Sequence, residues 1–314
     1  VKPELNTKTR HKILNKEKAL KSHPSINRAL ANKFFGHFCY VSILILCITL
    51  ISIVLFIGKI GIQTFSEVSL KEFFFTLEWS PMEDLYGAGT FIIGTLTLTA
   101  LTLVIATPIS LIIAVFVAEI APLWIKRIMR PLLDLLVGIP SVIYGYLGVT
   151  ILIPFLRDIA DIHMGDGILA AALVLSLMIL PIVTRLIDDS IAAVPESYRE
   201  AAYALGSSRL QVIVNVIIPS IKRGIITAII LGMARAIGET MAVVMVIGNV
   251  AQLPTGLFMP TSVLTSNIVM QITAVQAGTT WHSALYMMAC LLLLISLVLI
   301  YCVRRIRSKG EEGL

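Results

Sequence analysis

Six stretches of this chain are apolar over about the length needed to cross a lipid bilayer, and that pattern limits what it can fold into. A hydrocarbon layer roughly 30 Å thick is crossed by about 20 helical residues, each rising about 1.5 Å. Phe38–Gly58, Gly87–Ala118, Gly167–Thr184 and Ser283–Val303 carry no charge, and Pro131–Leu156 carries only Asp134 near its start. Gly224–Gly248 carries two charges, Arg235 and Glu239. Backbone polar groups in lipid must be satisfied within the protein, so each run reads as a helix. The expected fold class is an all-α integral membrane protein with six transmembrane helices, spanning about 38–58, 87–118, 131–156, 167–184, 224–248 and 283–303. Residues are 57% hydrophobic and only 14% charged, against about a quarter charged in an ordinary soluble domain. That composition excludes a disordered chain and argues against a soluble two-domain protein. Cys39, Cys47, Cys290 and Cys302 lie in apolar runs without metal spacing and read as small hydrophobes.

The basic residues assign sides. Nine of the 25 Lys and Arg precede residue 38, with others at Lys126, Arg127 and Arg130, across 185–223, and at Arg304, Arg305, Arg307 and Lys309. Lys59, Lys71 and Arg157 fall on the opposite side. The positive-inside rule then predicts both termini in the cytoplasm, together with the loops around 119–130 and 185–223. The formal charge of +6 is mostly topological, and no nucleic-acid partner is expected. Residues 1–37 read as a basic cytoplasmic tail ahead of a retained anchor, not as a cleaved signal peptide. Its role is open between contact with anionic lipid and enforcement of topology alone. Residues 38–304 form the membrane domain and 305–314 a second cytoplasmic tail. The stretch Asn249–His282 lacks Lys, Arg, Asp and Glu. It reads as an external loop with a short helix, 261–275, on or dipping into the surface. Trp79, Tyr86 and Trp281 read as interface anchors.

Chemistry is missing. The sequence has no GxxxxGK[ST], HExxH or GxSxG pattern, and its five histidines are scattered. The chain is expected to be no enzyme and to bind no cofactor or metal.

Between the fourth and fifth runs lies a loop, 195–219, with the markings of two short helices. Pro195 suits a first turn, and Glu196 and Glu200 suit the positive end of a helix. Ala201, Ala202 and Ala204 keep it narrow, Gly206 suits a left-handed terminating residue, and Pro219 closes the second helix. Glu200–Ala201–Ala202, then Gly206, then Val216–Ile217–Ile218–Pro219 resembles the EAA loop of ABC importer permeases. That resemblance implies a type I (MetI-like) permease fold, and it implies that Glu200, Ala201, Ala202 and Gly206 dock on a separate ATPase.

In the fifth run, Arg235 and Glu239 stand four apart, so a continuous helix puts them on one face within ion-pair reach. Charges at that depth avoid lipid. Two roles are open on these grounds: a self-neutralising structural pair, or a guanidinium offered to an oxyanion with Glu239 holding it. The surrounding Ala234–Arg235–Ala236–Ile237–Gly238–Glu239–Thr240–Met241–Ala242–Val243 resembles the permeases of ABC phosphate importers, the PstC type in particular. Ile139–Pro140–Ser141–Val142–Ile143–Tyr144–Gly145 and Trp79–Ser80–Pro81 resemble that family too, and the likeness covers roughly residues 38–305. It implies Arg235, Glu239 and Thr240 in the substrate pathway and phosphate as cargo, with sulfate or molybdate as the alternative and an ion-coupled secondary transporter further off. It also implies a second permease of PstA type, two copies of a cytoplasmic ATPase (PstB type) that hold ATP and Mg, and an extracytoplasmic phosphate-binding protein (PstS type). Asp134, near a span end, is expected to bond structurally.

Overall fold

The structure, a computed structural model, describes residues 25–309. The expectations for the tail before residue 25 and after residue 309, and for the Cys302 side chain, lie outside the described residues. Two units are distinguished, the first ending at Phe56 and the second starting at Ile57. The first is the body of α1 (Ser25–Ile62), whose apolar side chains from residue 34 onward point in every direction, as in a helix surrounded by lipid.

The second unit begins with the end of α1 and leads through α2 (Leu70–Phe75) to a small hairpin. There β1 (Trp79–Ser80) pairs antiparallel with β2 (Leu85–Tyr86), Trp79 opposite Tyr86. α3 (Gly89–Val115) continues through a π-helical turn, Phe116–Ile120. Its buried stripe runs Gly94, Leu98, Thr102, Ala106, Ser110, Ala114 at a strict four-residue spacing. Gly94 admits the backbone of Ser262, whose carbonyl oxygen would stand 2.5 Å from a Cβ there, and further along the stripe α3 packs on α7 (Ile168–Ala192). Ser110 donates to the Leu180 carbonyl at 3.3 Å and Ser176 to the Thr102 carbonyl at 3.2 Å. α7 is the central helix, with most of its residues buried.

The run 131–156, expected as one span, is divided. α4 (Leu123–Val137) buries only Leu133, and the chain breaks at Gly138–Ile139–Pro140. Pro140 disfavours helix at Ile139 and supplies no N–H, while Gly138 caps α4. Beyond it α5 (Ser141–Leu147), a π turn (Gly148–Leu152) and α6 (Ile153–Ala160) form the crossing-length helix 141–160. Asp134 therefore lies on α4 outside that helix, 3.7 Å from Arg185 Nε. α7 also outruns its expected end at 184 by two turns.

The loop after α7 holds α8 (Glu196–Ala204), α9 (Arg209–Val212), a π turn (Ile213–Ile217) and α10 (Ile218–Ser220). α11 (Lys222–Gly238) follows after a 65° bend and α12 (Met241–Val246) after a second break. α13 (Leu264–Gln271) and α14 (Thr280–Lys309) complete the fold. Among the described residues five helices are long and apolar enough to cross a membrane, and a sixth crossing is counted if the bent pair 209–220 and 222–238 is one span.

Three apolar cores stack along the second unit. The middle one joins α3, α7 and α12, the elbow-side one joins the end of α7 to the loop helices, and the third lies under the hairpin. In that third core Tyr86 is 4% exposed and Trp79 meets Phe91 edge-on at 5.5 Å between ring centroids. Trp79 and Trp281 both donate to Gln271 Oε1, at 3.2 and 2.8 Å. These aromatics tie a cap together. The loop expected outside folds back on the bundle: Thr261 N–H donates to Ile247 O at 3.0 Å, and Ser262, Val263 and Leu264 are buried.

Candidate functional site: a helical elbow and a broken fifth segment

The elbow forms for local reasons. Pro195 precedes α8 as its cap rather than entering its first turn. α8 ends in a Schellman motif: Gly206 N–H donates to Tyr203 O at 2.9 Å and Ser207 N–H to Ala202 O at 3.1 Å. Gly206 has φ +80°, the left-handed conformation its position requires. Ser208 and Gln211 then form a capping box that starts α9. Ala202 is buried, facing Val194, Val212 and Ile213 in the elbow-side core. Glu200, Ala201 and Gly206 face outward, beside exposed Tyr198, Tyr203, Leu205 and Leu210. Leu205, 87% exposed, tops a projecting apolar knob, the kind of surface that marks an interaction site. The structure thus brings together three of the four elbow residues on the outer face, with Ala202 as their inward anchor.

The fifth segment departs from the sequence reading. α11 stops at Gly238, and Glu239 is extended (φ −71°, ψ 126°). Arg235 and Glu239 therefore share no helix face, and no ion pair joins them. The Glu239 carboxylate turns the other way, Oε1 accepting the Ala242 N–H at 3.3 Å at the start of α12. Its carbonyl accepts the Thr265 hydroxyl at 3.2 Å, and Thr240 Oγ1 donates to Gly238 O at 3.2 Å. Hydroxyls and a carboxylate thus satisfy backbone groups that the interrupted helix leaves open.

Arg235 is left in the last turn of α11, where a cation complements the negative helix end. Its side chain is half-buried, and among the described residues it makes no ion pair or hydrogen bond. The Tyr144 hydroxyl of α5 lies within its electrostatic reach. α5 itself packs tightly on α12, since a Cβ at Gly145 would stand 3.0 Å from Ala242 Cα. A half-buried guanidinium with open donors can pair with the oxygens of an anion.

Two further pairs, not singled out in the sequence, frame the elbow side. Asp188, 1% exposed, accepts Arg130 Nε at 2.9 Å and Nη2 at 3.1 Å, fastening α4 to α7. Arg199 on α8 meets Glu119 at the end of α3 at 2.9 Å. Nothing local in the sequence points to either pair.

Residues 106–309 match the family model described as binding-protein-dependent transport system inner membrane component. The chain belongs to that family. It is a multi-pass inner-membrane permease, and its curated relatives are transport permeases. A Bacillus subtilis (strain 168) protein named "Probable ABC transporter permease protein YqgH" is 40% identical over 85% of this chain and 88% of its own length. The phosphate transport system permease protein PstC of Xylella fastidiosa (strain Temecula1) is 31% identical over 96% of this chain and 98% of its own. Among solved structures, a bacterial ABC transporter involved in import of the acidic polysaccharide alginate has a chain that superposes with a TM-score of 0.60. That match has 16% identity and covers 90% of this chain and 99% of the other. The fold is therefore that of a binding-protein-dependent ABC importer permease, which works with a substrate-binding protein and an ATPase.

Proposed function

We propose that this chain is the PstC-type permease subunit of an ATP-driven phosphate importer. It forms half of the translocation pathway beside a PstA-type permease, with two PstB-type ATPases below and a PstS-type phosphate-binding protein outside. Both termini and the elbow then face the cytoplasm. ATP and Mg2+ are held by the ATPase, and this chain contributes no catalytic group.

The observation that carries the reading is Arg235, half-buried and free of any hydrogen bond or ion pair among the described residues. Named phosphate permeases align with nearly the whole chain, which favours phosphate as the anion. Arg235 offers a planar fork of donors that phosphate oxygens accept in pairs. Release requires a weak site, and a single guanidinium attracts without trapping. Glu239 and Thr240 shape the pathway by holding the helix break open beside Arg235. On the driven side, Glu200, Ala201, Ala202 and Gly206 form the knob on which the ATPase bears.

The test is ATP-dependent phosphate uptake into proteoliposomes holding all four kinds of subunit, with sulfate and molybdate as competitors. Arg235→Ala should abolish uptake while the complex still co-purifies. Uptake by that variant at the normal rate would refute the pathway role. Preferential uptake of sulfate or molybdate would move the cargo to another oxyanion, and uptake without the ATPase would end the ABC reading.

A further inference from the structure

We propose that Arg199 and Glu119 are positioning residues that transmit the movement of the elbow into α3. The proposal rests on the reading that an ATPase drives the elbow.

Arg199 spends nearly all its donors here. Nη2 and Nε reach Glu119 Oε1 at 2.9 and 3.3 Å. Nη1 reaches the Val194 carbonyl at 2.8 Å and Glu196 Oε2 at 3.3 Å, and Nη2 also reaches the Ile191 carbonyl at 3.2 Å. One guanidinium thus ties together α8, the end of α7 and the end of α3. The side chains of Arg199 and Glu119 are 12% and 13% exposed, so solvent screens the pair little. The same end of α3 is held twice more. Arg209 of α9 donates to the Glu119 carbonyl and Lys126 of α4 to the Ala118 carbonyl. Both carbonyls lie in the terminal π turn, where helix acceptors lack intrahelical partners and the dipole favours cations.

Chain connectivity gives this cluster its meaning. α8 is joined covalently to α7 by residues 193–195 and to α11 through the other arm of the elbow, whereas Glu119 is 80 residues from Arg199 in sequence. Without the pair, a push on α8 could be taken up by rotation about 193–195 against apolar side chains that slide. The directional, water-poor guanidinium–carboxylate contact makes the end of α3 move with α8. α3 in turn packs along α7 and α11, so the displacement spreads into the bundle and reaches the helix that carries Arg235.

The complete importer, reconstituted in proteoliposomes, tests this with Glu119→Gln and Arg199→Lys. Phosphate uptake and ATP hydrolysis are measured in the same vesicles. Phosphate imported per ATP should fall about tenfold, within the range for residues along a coupling network, while the ATPase co-purifies in normal amount. The double variant should be no worse than the worse single one. Loss of thermal stability with unchanged phosphate per ATP would assign the pair a structural role only and overturn the proposal. A second readout is independent of cargo: spin labels at Ile120 and Ser197, in a background freed of native cysteines. Their separation should stay constant on nucleotide binding in the parent and change in Glu119→Gln. A constant separation in the variant too would overturn the proposal. If the parent complex hydrolyses ATP without moving phosphate, the cargo reading falls while the label distances still judge the coupling. If the parent binds no ATPase, both fall together.

Discussion

Replacing Gly206 isolates one physical quantity, because nothing lies within 4 Å of a Cβ built there. The substitution meets no neighbour, and the whole cost comes from φ +80°. Holding an L-residue in that region costs about 1–2 kcal/mol. If the ATPase accepts only the Schellman-terminated elbow, that cost appears undiluted in docking, as a loss of affinity of about 5- to 30-fold. Gly206→Ala should fall near the lower bound and Gly206→Val near or beyond the upper one, since β-branching adds to the strain. Gly206→Asn should stay within about threefold of the parent, because Asn enters the left-handed region readily. The assay is binding of purified ATPase to the permease pair in nanodiscs, with membrane insertion checked by yield. Asn binding as poorly as Val, or all three binding like glycine, would refute the conformational account.

Other substitutions separate readings of the same contacts. Glu239→Gln keeps an oxygen for the Ala242 N–H and should retain most uptake, whereas Glu239→Ala should lose it; equal defects would restore a role for the carboxylate charge. Asp188→Ala leaves Arg130 and Arg185 without a buried acceptor and should destabilise the protein by about 3 kcal/mol, toward the low end for a broken buried pair because Arg130 reaches water. Asp134, its side chain 59% exposed, makes only a 3.7 Å contact with Arg185, so Asp134→Asn should cost under about 1 kcal/mol in the same thermal unfolding series. Gly148→Val should also destabilise, by about 1–3 kcal/mol, since a Cβ there stands 2.7 Å from both Val174 Cγ2 and Val246 Cγ1.

The elbow was legible in the sequence because everything that shapes it is local. Pro195, the alanines, Gly206 and the Ser208–Gln211 box act within a few residues of themselves. The apolar runs were legible as membrane helices because hydropathy needs no tertiary context. The division of 131–156 was also written locally, in Gly138 and Pro140, but apolar continuity outweighed it. The break after Gly238 was not legible. Its stability depends on the Thr265 hydroxyl, 26 residues on, taking the Glu239 carbonyl. A spacing of four suggested an ion pair that the extended backbone at Glu239 forbids. The Arg199–Glu119 and Arg130–Asp188 pairs join residues 80 and 58 apart, and no local pattern matches such partners. The burial of Tyr86, turned inward by the hairpin, was not legible either.

The interruption at residues 239–240 divides the fifth segment into a portion hung from the elbow and a portion stitched to the far side. α12 is fixed above by Gly167 N–H on Val246 O at 3.1 Å and Thr261 N–H on Ile247 O at 3.0 Å. α11 continues directly from α10. On the proposed drive from the elbow, Arg235 moves with α11, like a cargo hook on a crane arm, while Glu239 stays with α12. The gap between these two side chains is a built-in gauge of the stroke.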